Sequence, residues 1–533
     1  MRQKRNIISS LQFLLNDDDG PLYQQLYQQI FEHIRQGRLQ PSDRLPGSRA
    51  LAESLGVSRS TVVNSYERLI AEGILVSKSK SGIFVAEDAL LLLDQLKSTG
   101  RSEDSTDDTN LETSEKQVLP LSFNSGIDPE AFPQQAWLKS MRASWRTPDP
   151  MVLGDNCPTG LPALKQAIAD YLYQLRGLRC RPEQILITAG SRDALTLIRH
   201  TLEKISPGVN WLCENPTYPP IRELIRSWKQ PQQALSQLEI DEEGCLLPDQ
   251  TISPNRRRLT ASVLTPSRQY PMGMTMSSSR RQEWLSYLQQ EQGWLIEDDY
   301  DNEFHYNGKS GIPLMQADRS GRVLFVGSFS KVLFRGLRLG FIVASQELYP
   351  KLHQSRIELG ASAALPMQPV VAEFMQNGEF ARHINRMRRH YRQKRDYLLN
   401  LCQQKLNPWF EWLQPQGGMH LLIFLKPSLL AESQANDQAL DLIIAQAMRQ
   451  QNIRMHPLSD HFYIDEGEGE GEVGERGIEE LWKKSVATPA SKPVPNSVHR
   501  GFVLGFTGPD EPTLQLMVEA LAQTMTELFT GLK

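Results

Sequence analysis

The sequence is poor in the residues that would suggest covalent or metal-stapled architecture. It has five cysteines, Cys157, Cys180, Cys213, Cys245 and Cys402, an odd number, widely separated and without C-x-x-C spacing. Neither a disulfide framework nor a zinc site is expected, no other metal site is suggested, and a reducing cytoplasm is the natural setting. No apolar run approaches membrane-spanning length, so no membrane partner is expected. The N-terminal "IISSLQFLLN" is interrupted by Ser9, Ser10 and Gln12 and followed by "NDDDG" in place of a small-residue cleavage site, which argues against a signal peptide. Charge of one sign is also lacking: the net charge of -4 over 533 residues excludes a uniformly basic nucleic-acid binder. That sum hides a local imbalance, because the span from Arg35 to Lys80 holds eight Lys/Arg against four Asp/Glu.

What is present falls into two parts. Residues 98–118 carry six acidic, two basic and only two aliphatic residues, too few to bury anything, and read as a tether. The expected division is a first domain over residues 1–86, a helix end and acidic linker over 87–120, and a second domain over 121–533. An acidic and Pro-rich insertion occupies 465–497 of the second domain, beginning "DEGEGEGEVGERGIEE".

Before the tether, Leu22, Leu26, Ile30 and Ile34 recur at helical spacing, and "LPGSRALAESLGVSRSTVVNSYERLIAEGIL" offers two short helices pivoting on Gly56. Val62, Tyr66 and Leu69 share one face of the second helix. Its N-terminal end carries Ser58, Arg59, Ser60 and Thr61, the end that helix-turn-helix proteins point into the major groove. "ILVSKSKSGIFV" then suggests a two-stranded ribbon whose turn bears Lys78 and Lys80 and is tightened by Gly82. The alternative is a helical docking domain with Arg59 as a solvated surface charge. In combination these features resemble the winged helix-turn-helix of GntR-type regulators over roughly residues 20–86. The resemblance implies that Arg49, Ser58, Arg59, Ser60 and Thr61, with a wing near Lys80 and Gly82, face double-stranded operator DNA. Ile83 departs from the small or polar residue usual in that wing.

After the tether, "ILITAG", "WLCENP", "ASVLTPS", "WLIEDDY" and "VLFVGSFSK" are apolar runs ending in polar or Gly-bearing turns. They predict an α/β domain with a buried, largely parallel sheet, helices on both faces and polar strand ends that converge. "AGSRDAL" opens a helix on a glycine turn suited to phosphate, a weak signal by itself. Lys331, at the end of an apolar strand, either snorkels at the sheet edge or sits in a site where its pKa is depressed. Ser328, Ser330 and Arg338 around it suit a phosphate dianion, and "EDDY" supplies a carboxylate and a phenol. An amine, a phosphate clamp, a carboxylate and a phenol are what pyridoxal 5'-phosphate requires.

Five motifs in order, "LGDNCPTGLPALKQAIADYL", "ITAGSRDAL", "ENPTYPP", "EDDYDNEF" and "SFSKVLFRGLRLG", resemble a fold-type I aminotransferase. With the N-terminal module, the chain resembles the MocR subfamily of GntR regulators over nearly its whole length. The resemblance implies Lys331 as the Schiff-base lysine, Asp298 on the pyridine nitrogen and Tyr300 on the 3'-oxygen. It places Gly190, Ser191, Arg192, Ser328, Ser330 and Arg338 at the phosphate and Tyr218 against the ring. Adjacent Asp299 is an alternative to Asp298 on spacing alone.

The sequence also departs from the family pattern. Tyr270 and Met272 in "TPSRQYPMG" are expected to alter the pocket wall, and Phe334-Arg335 stands where Ala-Pro is common in relatives. Arg500, five residues ahead of Gly505, is implied to grip an effector carboxylate, with a solvated arginine as the alternative. The expected function is a transcriptional regulator that senses pyridoxal 5'-phosphate, an amino-carboxylate, or both, as a head-to-tail homodimer. The competing readings are an active aminotransferase with a DNA-binding appendage and a pseudo-enzyme used only to dimerise.

Overall fold

The computed structural model describes residues 13, 15, 16, 20–78, 82–89, 120–228, 236–248, 259–306, 311–360, 363–429, 440–462 and 500–530. The expected tether, the acidic insertion and Lys80 lie outside the described residues. The chain divides into two compact units, Met1–Gln117 and Val118–Lys533.

In the first unit, helix α1 (Leu22–Arg35) buries Leu26, Ile30 and Ile34 against α3 (Arg59–Ala71), which contributes Val62, Tyr66 and Leu69. This is the one-sided apolar stripe that spacing predicts for an amphipathic helix. Helix α2 (Ser48–Leu55) ends at Gly56, whose φ of 67° is the left-handed geometry that terminates helices. Polar ties fix the packing: the Tyr66 hydroxyl donates to the Pro46 carbonyl at 3.0 Å, and the Ser65 hydroxyl to that of Tyr23 at 2.8 Å. The ribbon is β1 (Leu75–Lys78) antiparallel to β2 (Gly82–Val85).

The second unit is built on an eight-stranded sheet. Its strands are β4 (Ile185–Thr188), β5 (Asn210–Asn215), β6 (Ser236–Asp241), β7 (Gly244–Cys245), β8 (Thr260–Leu264), β9 (Trp294–Asp299), β10 (Val323–Ser328) and β11 (Gly340–Val343). The order is β4-β11-β10-β9-β8-β5-β6-β7. Strands β6, β5, β8, β9 and β10 are mutually parallel. Strand β11 runs antiparallel between β10 and β4, so β4 again points the same way as β10.

Alternate strand residues feed opposite cores. Leu186, Ile296, Leu324 and Ile342 pack with the helix Ser191–Ile205, while Ile187, Phe325, Phe341 and Val343 join the larger core on the other face. Gly327 is required where β10 crosses β11, because a Cβ there would lie 2.2 Å from the Phe341 ring. A smaller sheet, β12 (Phe410–Trp412), β13 (His420–Leu425) and β15 (Gly501–Gly505), and a short parallel pair, β3 (Leu121–Ser122) with β14 (Ile453–Arg454), complete the unit.

Candidate functional site

In the first unit, Arg49, Ser58, Arg59 and Ser60 are exposed and Thr61 is half-buried. They occupy the start of α3 and the facing helix α2. Ser58 is also structural: it is the N-cap of α3, its hydroxyl accepting from the Thr61 amide at 3.2 Å. Arg59 Nε lies 3.5 Å from the Ser48 hydroxyl, tying the two helices at this surface. Gly82 has a φ of 113°, and a Cβ there would lie 3.0 Å from Arg44 Nε. Its place in the wing is therefore set by backbone conformation and by an arginine packed across it.

In the second unit, the polar ends of β4, β5, β8, β9 and β10 open on one cavity of about 1320 Å³. Gly190, Ser191, Arg192, Tyr218, Asp298, Tyr300, Ser328, Ser330, Lys331, Arg338 and Arg500 all line it. Residues drawn from five strand ends and three later turns meet there because the sheet's parallel strands finish on the same edge.

Lys331 follows β10 by three residues and is half-buried. Its amine donates to both the carbonyl and the hydroxyl of Ser125, each at 2.9 Å. Burial lowers its pKa to about 8, with Arg335 adding repulsion and Asp301 partly offsetting it. Asp298, at 6% exposure, has an Oδ1 without a hydrogen-bond partner. Burial, reinforced by Asp299, Glu214 and Asp301, raises its pKa to about 7. The buried Tyr300 hydroxyl makes no hydrogen bond of ordinary geometry, and burial followed by Asp301 pushes its pKa well above the usual phenol value. A buried carboxylate oxygen on a cavity wall without a partner requires an explanation, since it costs about 1–3 kcal/mol left bare.

The ambiguity between adjacent carboxylates disappears in three dimensions. Asp299 points away from the cavity and takes a two-pronged bond from buried Arg176, at 3.0 Å from Nε and 2.9 Å from Nη2, with Asn302 as a further donor. Asp298 alone of the two lines the cavity.

At the other wall, Gly190 has a φ of 99° and precedes the helix Ser191–Ile205, whose first-turn Asp193 accepts from the Ala189 amide at 2.8 Å and from Arg356 at 2.8 Å. The helix N-terminus thus presents free amides at the cavity. Arg338 adopts φ 48° just after the turn Arg335–Leu337 and is exposed. Tyr218, 41% exposed, meets Tyr270 edge to face at 5.4 Å, and Tyr270 meets Tyr300 the same way at 5.5 Å. Arg500 donates to the Ser459 hydroxyl at 3.2 Å, and Ser459 is anchored by buried Asp441, which accepts from its amide at 3.0 Å.

One expected wall residue is displaced: Met272 does not line the cavity but packs with Leu422, Phe424, Leu458 and Val503. Its amide is taken by Gln269 Oε1 at 3.0 Å, which turns the side chain away from Tyr270 toward β13 and β15. Several lining groups had no sequence signal. Ser125 reaches Lys331 from more than two hundred positions earlier in the chain. It does so because Gly505 has no Cβ; one there would lie 2.2 Å from the Asn124 carbonyl carbon. Glu214, His456 and Arg454 come from strand ends or loops whose convergence only the fold reveals.

Comparison with known proteins covers both units. Residues 22–85 match the family model described as bacterial regulatory proteins, gntR family, and residues 153–466 match aminotransferase class I and II. The chain is 32% identical over 472 residues to the "Probable rhizopine catabolism regulatory protein MocR" of Rhizobium meliloti, spanning 87% of this chain and 92% of that protein. It is 32% identical over 413 residues to the "HTH-type pyridoxine biosynthesis transcriptional regulator PdxR" of Corynebacterium glutamicum, spanning 75% and 82% of the two chains. Among solved structures, an archaeal alanine:glyoxylate aminotransferase superposes with a TM-score of 0.62 at 23% identity, over 78% of this chain and 92% of that one. This last likeness concerns the fold.

Proposed function

This chain belongs to the MocR-type transcriptional regulators of the GntR family, a DNA-binding helix-turn-helix fused to an aminotransferase-like domain, and from that membership we propose that it binds pyridoxal 5'-phosphate at Lys331 and senses an amino-carboxylate there. The observation that carries the reading is Asp298: a buried carboxylate oxygen without a partner, in the same cavity as an amine of lowered pKa. A pyridinium nitrogen is the kind of cationic donor that would satisfy it.

The other donors support the same ligand. Ser191, Arg192, Ser328, Ser330 and Arg338, with the amides following Gly190, suit a phosphate dianion. The Tyr300 hydroxyl suits a phenolate oxygen, and Tyr218 offers a ring face or edge at the cavity mouth. The cofactor, when bound, supplies an aldehyde carbon that condenses with amines and a ring that withdraws electrons.

The chain's own groups then have defined tasks. Lys331, with a pKa near 8, loses its proton far more readily than an ordinary lysine, which makes its Nζ a nucleophile near neutral pH. Ser125 accepts two of its hydrogens and aims it. Asp298 holds negative charge where a ring nitrogen would carry its proton. Arg500, steadied through Ser459 by Asp441, is placed to take a carboxylate as a two-pronged clamp. An amine-bearing ligand held by Arg500 would compete with Lys331 for the cofactor's aldehyde carbon, and the charge inside the cavity would differ between the two occupancies, a two-state difference a regulator can report.

Arg49, Ser58, Arg59, Ser60 and Thr61, with Gly82 in the wing, are proposed to face the operator, and Lys80 is assigned to the wing on sequence alone. A homodimer in the cytoplasm, head-to-tail, would let two recognition helices read paired half-sites. Its support here is apolar surface: Leu138, Trp145, Met151 and Leu153 stand between 38% and 67% exposed on the helices Gln134–Trp145 and Pro150–Leu153.

The test is to sequence DNA fragments retained by the full-length chain, then measure affinity for them with pyridoxal 5'-phosphate and a panel of amino acids. The expected result is an operator affinity that shifts on adding an amino acid to the cofactor-loaded chain and a response lost in Arg500→Ala. An operator affinity indifferent to both ligands would refute the sensing role.

A further inference from the structure

The cavity holds more positive charge than one cofactor and one carboxylate would use. Ser191, Arg192, Ser328 and Arg338 are assigned to a phosphate and Arg500 to a carboxylate, Arg222 is held by the Asp460 and Phe462 carbonyls and Arg226 by Glu223, which leaves Arg335 and Arg454 among the arginines lining the cavity. They arrive by independent routes. Arg335 opens the turn that follows Lys331, and Arg454 ends β14, fixed in place by its pairing with Ser122 of β3. Among the described residues, no hydrogen bond or ion pair is formed by either guanidinium.

Both flank Lys331: Arg335 lies four positions after it, and Arg454 pairs through β14 with Ser122, three positions before the Ser125 that holds its amine. His456 lies two residues beyond Arg454. Its pKa is lowered by burial and then by Arg454, Arg335 and Lys331, so all three cations act on one imidazole. Arg335 likewise acts on the Lys331 amine and on the Tyr270 hydroxyl. Two exposed guanidiniums without a protein partner, set beside one amine, leave an excess of positive field that an anion would neutralise.

We infer that Arg335 and Arg454 form a second anion site beside Lys331, and that the effector is an amino acid carrying an acidic group on its side chain, with its α-carboxylate on Arg500. This rests on the sensing role given above and narrows its ligand class from any amino-carboxylate to a dianionic one. The side-chain acid would be a carboxylate or another fixed anion of similar size.

The experiment uses the full-length chain loaded with pyridoxal 5'-phosphate, titrated calorimetrically with L-aspartate, L-glutamate and L-2-aminoadipate, and in parallel with L-asparagine, L-glutamine and L-norleucine. At least one dianionic member should bind roughly ten- to hundredfold tighter than its uncharged counterpart, the range expected for a charge-assisted hydrogen bond. Arg335→Gln and Arg454→Gln should each reduce that ligand toward the affinity of the counterpart, with circular dichroism and cofactor loading confirming an intact unit.

Equal binding of charged and uncharged members, sensitive to Arg500→Ala, would overturn the second site while leaving carboxylate sensing in place. An equal loss of affinity for charged and uncharged members alike in the two variants would also overturn it, because the arginines would then not be reading the side-chain acid. Absence of binding by any member would sink the sensing role itself.

Discussion

Replacing Asp298 by asparagine is expected to act in opposite directions with and without the cofactor. Without it, burial and neighbouring acids raise the carboxyl from its ordinary 3.8 to about 7. The folded chain therefore keeps a proton that the unfolded chain has released, and stability falls as pH rises from about 4 through about 7. At pH well above 7 the penalty is roughly 4 kcal/mol, and between about pH 5.5 and about pH 8.5 it grows by about 2 kcal/mol. The Asp298→Asn chain lacks this charge and should gain on the wild type by that increment, a change in the melting-temperature difference on the order of a few degrees for a domain this large. With pyridoxal 5'-phosphate the order reverses: the charge has a cationic partner, and removing one member of a buried pair costs roughly 3–5 kcal/mol. Scanning calorimetry of both chains across pH, with and without cofactor, together with equilibrium dialysis of the cofactor, tests both halves. A melting difference that is flat with pH in the cofactor-free chains, or cofactor affinity unaltered by the substitution, would refute the placement of Asp298.

Lys331→Ala should abolish the visible absorption band of the cofactor-loaded chain; retention of the band after dialysis would show covalent attachment elsewhere. Arg59→Ala should cost on the order of 1–3 kcal/mol of operator affinity and relax sequence preference, measured by titration against retained fragments and scrambled DNA. Ser58→Ala should instead appear first as lost stability of the N-terminal unit, about 1 kcal/mol by denaturant titration, because its hydroxyl caps α3. Gly505→Ala forces a Cβ against the Asn124 backbone, so it should lower stability by roughly 1–3 kcal/mol and, by drawing the Ser125 acceptors away from the Lys331 amine, lower the pH at which that amine deprotonates, followed by the pH dependence of cofactor attachment.

Much of this architecture could be read before any coordinates, and the reasons are local. Apolar strands that end abruptly in polar turns announce a parallel sheet, and a lysine at such an end announces a site. The limits were equally physical. Alternation along β9 says that Asp298 and Asp299 face opposite sides, but not which side holds Arg176, since that arginine comes from a distant turn, Leu172–Arg176. Strands β3 and β14 are two residues each, too short for any periodicity, yet they position Arg454 and the segment leading to Ser125. Tyr270 and Met272 are both expected at the pocket wall because "TPSRQYPMG" departs from the family pattern; a turn of backbone in which the Met272 amide donates to Gln269 separates them.

The route of the chain past Lys331 gives Ser125 a second significance. The aminotransferase-like unit begins at Val118, so the residue that holds the lysine's amine lies seven positions from the start of that unit and from the end of the segment joining it to the DNA-binding unit. Among the described residues, only the two-residue strand β3 intervenes as regular structure. Were the proposed cofactor to engage the amine, the carbonyl and hydroxyl of Ser125 would lose their donor together, so occupancy of the pocket would be felt within a few residues of where this unit begins.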